Sequence, residues 1–329
     1  MKLITKLFII VDVIIVLCFL LVYGPFDKAR VFWITTAMET ASHRYFAYIF
    51  YSEDTVIKVM ESNSLEILNE ETDTSSIKIG EIEKVTNYTS IYEKQILERD
   101  EDDLYKLIEF KYGDFDCYLV AIYDPKRVEA AHTINLNSGE VLTDIAKREN
   151  AIVAINGGGY SWSNYKPVGL IVEDGQIIYA SSYNKFTGAS ITNDGVLLTN
   201  NVSASDIKSL NIKEALSFGP VLIANGKSAQ IRGTGGSGMN PRTVIAQRKD
   251  GIILFLVVNG YGQNLSWKGR GGVYYSDLIT ILERYGAYNA VNMDGGSSTT
   301  LVIDGKLINS PCEPQKDGQD FIKSAWILK

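Results

Sequence analysis

Between Asn292 and Thr300 the chain reads "NMDGGSSTT", which places a carboxylate, two glycines and four hydroxyl side chains directly after an apolar run. Asp294 falls where a strand should end, and a carboxylate there suits a general base or a nucleophile. Gly295 and Gly296 permit positive φ and let backbone N–H groups approach a ligand. Together with Ser297 and Ser298 they predict a nest of amides for anionic oxygens. A carboxylate beside an anion cradle fits chemistry on a sugar joined to a phosphate. Two further stretches share this polar, glycine-rich character at strand ends. Asn156 and three glycines follow the run "AIVAI", and Arg242-Thr243 opens the run "RTVIAQ". An arginine at that point can clamp a phosphate or carboxylate through two parallel hydrogen bonds. Pro167–Gly169, Phe218–Pro220 and Asn259–Asn264 read as further turns around one mouth.

Other chemistries are less well provided for. "GTGGSG" (Gly233–Gly238) matches the dinucleotide fingerprint, but "MNPRTV" follows it where a helix should open. A glycine-rich mobile loop beside a site is the better reading, and no nucleotide cofactor is expected. The two histidines, His43 and His132, form no pair, and there is no Cys-x-x-Cys. A zinc site of the usual ligands is therefore not expected, while a hard cation such as Ca held by carboxylates and carbonyls stays open. His132 reads as structural, and Cys117 and Cys312 read as unpaired.

The elements that must position these residues are mostly short strands. From Leu104 onward β-like runs alternate with Asp174-Gly175, Asp194-Gly195, Asn225-Gly226, Asp250-Gly251 and Asp304-Gly305. Such dipeptides are strong hairpin signals. They predict an α+β domain over 105–329 with a largely antiparallel and mixed sheet core and few flanking helices. Helices are predicted over Glu140–Asn150, Ser205–Ala215 and Ser276–Tyr285, the last with a Ser276 N-cap and Gly286 just past its end.

The net charge of −7 over 329 residues is concentrated in Glu66–Asp103, which holds 12 acids and 4 bases. No basic stripe is left for nucleic acid. That acidic segment reads as a solvated linker or, nearly as well, as an irregular acidic subdomain, and residues 25–60 as a helical neck, so that 25–104 join the domain to what precedes them. "LFIIVDVIIVLCFLLVY" (Leu7–Tyr23) is apolar apart from Asp12. At 1.5 Å per residue it reaches roughly 26 Å, enough for a short membrane span. Lys2 and Lys6 precede it and no small-residue cleavage site follows. Residues 1–24 are thus expected to be an uncleaved single-pass anchor, with the remainder outside the cell; a cleaved signal peptide is the competing reading.

"AINGGGY", "FGPVLI", "NPRTVIAQ", "VVNGYG" and "NMDGGSSTTLV", in that order, resemble the phosphodiester glycosidase family over about residues 105–329. Bacterial members are often labelled exopolysaccharide-biosynthesis proteins. The resemblance implies hydrolysis of the bond between a sugar's C1 and a phosphodiester, here on cell-surface carbohydrate. It implies a site lined by Asn156, Gly157, Gly158, Arg242, Thr243, Asn259, Asn292, Asp294, Gly295, Gly296, Ser297 and Ser298. In these roles Asp294 is base or nucleophile, Arg242 and residues 295–298 hold the phosphate, and Asn156 orients a sugar hydroxyl. Tyr160, Trp162 and Trp267 are candidates to stack on the sugar, and Asp277 and Glu173 are the reserve carboxylates. The chain departs from the family at Asn259-Gly260-Tyr261, where members often read "DGR". A non-catalytic glycan-binding or polysaccharide-assembly protein on the same fold is the rival reading, and a phosphodiesterase cleaving P–O a third.

Overall fold

The computed structural model describes residues 3–38, 44–80, 87–161, 163–182, 185–262, 271–312 and 316–329. His43, Trp162, Asn264 and Trp267 lie outside the described residues. The chain divides into two compact units, residues 1–65 with 231–238, and residues 66–230 with 239–329.

The first unit is helical. Leu3–Tyr23 is a helix of 21 residues, exposed from Leu7 to Leu21 and long and apolar enough to cross a membrane. Asp27–Met38, Tyr45–Phe50 and Glu53–Ser62 follow. Ile34, Ala37, Ala47 and Val56 form its small buried core. The Ser52 hydroxyl caps the last helix by accepting the Thr55 N–H. Residues 231–238 join this unit, not a site: Arg232 N–H donates to the Ser64 carbonyl at 2.8 Å, and Thr234 N–H to Asn63 Oδ1 at 3.1 Å. This corrects the expectation for "GTGGSG". Its glycines allow a positive φ at Gly233 and a close approach of backbone to Asn63.

The second unit is built of three antiparallel sheets. The largest has seven strands in the order Tyr105–Tyr112, Phe115–Ile122, Ile253–Val258, Arg242–Arg248, Ala287–Asn292, Val221–Ala224 and Lys227–Ser228. The second runs Lys306–Leu307, Leu301–Ile303, Val153–Asn156, Ser324–Leu328, Val128–His132. The third runs Gln176–Ala180, Leu170–Glu173, Ile212–Ser217, Gly188–Thr192, Leu197–Leu198. Each of the five predicted Asx-Gly dipeptides joins two antiparallel strands. At Asp174-Gly175, Asn225-Gly226 and Asp304-Gly305 both residues have positive φ, the conformation that matches strand twist in a two-residue hairpin.

The helix Tyr275–Arg284 ends at Gly286, φ 74°. Its cap differs from expectation: Asp277, not Ser276, takes the Tyr274 N–H at 3.0 Å, and its other oxygen takes the Tyr112 hydroxyl. The predicted helix over 205–215 shrinks to one turn, Asp206–Ser209. Asn211 (φ 54°) breaks it, and "IKEALS" becomes a strand paired on both edges. Ladder pairing and burial override the helix propensity of Lys, Glu, Ala and Leu.

The acidic segment does not behave as a solvated linker. Leu68, Ile77 and Ile96 are buried. The helix Ile91–Leu97 is latched by the Tyr123 hydroxyl on the Ile96 carbonyl (2.7 Å) and the Tyr285 hydroxyl on Gln95 (3.0 Å). The acids mask a few widely spaced apolar anchors that give no sustained periodicity.

Candidate active site

Two sheets deliver their strand ends to one place. In the large sheet, antiparallel pairing of Val244 with Asn292 puts the start of Arg242–Arg248 beside the end of Ala287–Asn292. In the second sheet, pairing of Ala325 with Asn156 puts the end of Val153–Asn156 beside the start of Ser324–Leu328. The Asp294 turn is stitched to both: Met293 N–H donates to the Thr243 carbonyl (2.8 Å), and Asp294 N–H to the Gly157 carbonyl (3.0 Å).

Asn156 is wholly buried and is the hub of this junction. Its Nδ2 donates to the Asp294 carbonyl at 2.7 Å, and its Oδ1 accepts from the Thr243 hydroxyl at 2.7 Å and the Thr300 N–H at 3.1 Å. It holds the turn rather than a sugar hydroxyl. Gly157 and Gly158 donate their N–H groups to the Ser324 carbonyl (2.8 Å) and Ser324 Oγ (3.0 Å). A Cβ on Gly158 would lie 2.5 Å from the Ser217 carbonyl oxygen, so close packing of three strands demands glycine there. Asn292 holds the Gly219 carbonyl through Nδ2 at 2.9 Å.

The expected amide nest is largely occupied. Gly295 N–H donates to Asp294 Oδ1 (3.0 Å), Gly296 N–H to the Pro241 carbonyl (2.9 Å) and Ser298 N–H to the Gly295 carbonyl (3.3 Å). The turn therefore spends its donors on its own carboxylate and backbone. Its hydroxyls do something the sequence did not suggest. Ser298 Oγ lies 2.9 Å from Asp294 Oδ2 and 3.4 Å from Asp320 Oδ2, and Ser297 Oγ is also 3.4 Å from Asp320 Oδ2. Two half-buried carboxylates thus face one serine, their oxygens no more than about 6 Å apart. That ceiling lies below the roughly 6.5–9.5 Å of inverting glycosidases and admits the roughly 5–5.5 Å of retaining ones.

Lys323, 1% exposed, brings a cation to this cluster. Desolvation pulls its ammonium below the usual lysine range, and the Asp320 charge partly restores it. Its Nζ sits 5.2 Å from the centre of the Tyr160 ring. Arg242 is buried too: Nε donates to the Val273 carbonyl at 3.3 Å, and the guanidinium lies over Tyr275, 4.2 Å from the ring centre. A Cβ on Gly295 would lie 3.9 Å from Arg242 Cδ, so arginine and turn adjoin. Sequence reasoning missed Asp320 and Lys323. The available signal was their position just before the strand "SAWIL", the same strand-end placement that marked Asn156, Arg242 and Asp294.

The reserve carboxylates lie elsewhere. Asp277 is the helix cap already described. Glu173 pairs with His132 (Oε1 to Nδ1, 2.7 Å), and burial raises its carboxyl above the usual range. The expected single mouth resolves into two cavities with no wall in common. Val168, Gly169 and Phe218–Pro220 line one of about 480 Å3. Asn259–Gly262, Asp116, Asn309 and Asp317 line another of about 580 Å3. Asn259 Oδ1 accepts from Asn309 Nδ2 and the Ser310 N–H, both at 3.2 Å. Cys117 and Cys312 are both buried, and burial pushes the Cys117 thiol up to about 12.

Residues 149–328 match the model of the phosphodiester glycosidase family, and the chain belongs to that family. Among curated relatives, the SPbeta prophage-derived uncharacterized protein YomE of Bacillus subtilis (strain 168) is 29% identical over 180 residues, 52% of this chain and 27% of that protein. The N-acetylglucosamine-1-phosphodiester alpha-N-acetylglucosaminidase of Mus musculus is 25% identical over 191 residues, 53% of this chain and 36% of the enzyme. The match therefore spans about a third of these relatives' length. Among solved structures, the catalytic domain of the zebrafish enzyme, auto-inhibited by pro-peptide, superposes with a TM-score of 0.58 at 20% identity, covering 70% of this chain and 85% of that one.

Proposed function

We propose that this chain is a membrane-anchored hydrolase, facing outward, that cleaves the bond between a sugar's C1 and a phosphodiester in cell-surface glycosyl-phosphate or exopolysaccharide material. The observation that carries this reading is the Asp294–Ser298–Asp320 arrangement, two carboxylates brought to one serine hydroxyl, close enough to act on one glycosidic bond. Membership of the family and the substrate named for its mammalian relatives point the same way.

The spacing favours a two-step course. Asp294, its oxygens fixed by the Gly295 N–H and the Ser298 hydroxyl, attacks C1. The C1–O bond breaks and the phosphate departs with the electron pair as the monoester of the other alcohol, needing little protonation. Asp320 then takes a proton from the water that opens the glycosyl ester. Arg242 and Lys323 supply the positive charge that a phosphate requires. The departures at Asn259 and Tyr261 line the other cavity and leave the carboxylate pair intact. That placement weighs against the purely glycan-binding reading.

Hydrolysis of a sugar-1-phosphodiester in ¹⁸O-labelled water tests the proposal. Label is expected in the sugar. Label in the phosphate would mean P–O cleavage, and no turnover would favour a binding protein.

A further inference from the structure

A phosphodiester has two halves, and the cavity beside Asp294 is suited to the half that is not the glycosyl group. Leu68, Val168, Phe186, Phe218, Pro220 and Val221 wall it with hydrocarbon. Among the described residues its wall carries neither carboxylate nor carboxamide; Lys185 is exposed on it, and the Ser217 hydroxyl is taken up by the Leu170 N–H at 2.8 Å. The other cavity, by contrast, presents Asp116, Asn259, Asn309 and Asp317, the groups that meet sugar hydroxyls.

The apolar cavity adjoins the reacting carboxylate through three connections. A Cβ on Gly159 would lie 2.6 Å from Phe218 Cε2 and 3.3 Å from Asp294 Cγ, so ring and carboxylate flank one backbone atom. Val168 N–H donates to the Gly159 carbonyl at 3.0 Å. Asn292, two residues before Asp294, holds the Gly219 carbonyl through its side chain and the Pro220 carbonyl through its N–H. At about 480 Å3 the cavity falls within the roughly 300–1,000 Å3 that encloses a drug-sized ligand, far more than a sugar's methyl substituent fills.

We infer that this cavity binds the alcohol of the phosphodiester, and that the alcohol is an apolar chain, so the substrates are glycosyl phosphodiesters of lipid-like alcohols. The inference rests on the proposed function for its choice of reaction. An apolar helix of membrane-spanning length in the same chain puts such alcohols within its surroundings. Burying each methylene strengthens binding in proportion to the area removed from water, so affinity should climb with chain length until the cavity is full.

The test uses the full chain in lipid nanodiscs and two probes, the methyl and octyl phosphodiesters of N-acetylglucosamine-1-phosphate. Binding is measured on the Asp294→Asn variant, which removes turnover from the reading. The octyl ester should bind at least 10-fold tighter than the methyl ester. Val168→Asp and Ile67→Asp place a charge on the cavity wall at positions 44% and 81% exposed, where folding tolerates it. Either should bring octyl affinity down to the methyl level. Equal binding of the two esters overturns the inference. So does an octyl preference that survives both substitutions, since that would be partition into lipid. Absence of turnover in the wild-type chain would instead strike the proposed function, leaving this binding comparison to decide the cavity's role.

Discussion

Asn156 and Asp294 stand 138 residues apart in sequence, and the amide of the first, itself wholly buried, donates to the backbone carbonyl of the second at 2.7 Å. The bond makes Asn156 a positioning residue. Asn156→Leu would leave the Thr243 hydroxyl, the Thr300 N–H and the Asp294 carbonyl buried without a partner. At roughly 1–3 kcal/mol per orphaned group, a loss on the order of 3–9 kcal/mol is expected. Chemical denaturation of wild type and variant measures it, and an unchanged midpoint would remove Asn156 from the centre of the junction.

The carboxylates should fail differently. Asp294→Asn keeps the volume and an acceptor for the Gly295 N–H. Turnover of a sugar-1-phosphodiester should fall by about 10³-fold or more with little change in Tm. Asp320→Asn should lower kcat by about 10²–10⁴-fold, with added azide restoring part of the rate by opening the glycosyl ester without a base. Wild-type rates in either variant would send the search for the second carboxylate elsewhere.

Stereochemistry reads the spacing directly. Two carboxylates whose nearest oxygens are no more than about 6 Å apart leave little room for an interposed water, so the released sugar should keep its anomeric configuration. NMR of the first-formed product decides this: net inversion would rule out the glycosyl ester on Asp294.

Glu214 governs a pH effect away from the site. Only 2% exposed, it accepts the Ala130 N–H at 3.1 Å and the Asp174 N–H at 3.4 Å, and it lies 3.5 Å from the Lys213 ammonium. Burial outweighs these partners and raises its carboxyl from 4.5 to about 7. Between those values the folded chain holds a proton that the unfolded chain has lost. Stability should therefore fall as pH rises from about 4.5 to 7, by up to about 3 kcal/mol. Glu214→Gln should flatten that slope in urea titrations at the two pH values, and an identical slope would assign it to another group.

Truncation distinguishes two boundaries. A chain starting at Glu66 keeps Leu68, Ile77 and Ile96, whereas one starting at Tyr105 uncovers the surfaces they bury. The shorter chain should melt lower by at least several degrees or express poorly. Equal melting would return residues 66–104 to the status of a linker.

Sequence legibility followed the range of the interactions. Hairpins were visible because Asx-Gly turns are set by two adjacent residues, as at Asn225-Gly226. Asp294 and Arg242 were visible as chemical groups, but the use of the turn's amides was not. Whether Gly296 N–H meets a phosphate or the Pro241 carbonyl depends on a strand 55 residues upstream in the chain. Asp320 was invisible for the same reason: only the fold brings it to Ser298. The acidic segment misled because charge dominates its composition while three buried side chains decide its packing.

The strand Ser324–Leu328 lies between Val153–Asn156 and Val128–His132, and its Ser324 side chain anchors Gly158 across 166 residues of sequence. Closing so long a loop comes late and slowly in folding, because the ordering cost precedes any reward from contact. Asp320 and Lys323 enter the site on the approach to that same strand. A chain still emerging, or one whose second sheet has not zipped shut, therefore holds Asp294 without Asp320. Under the proposed mechanism, turnover would then be a readout of completed folding.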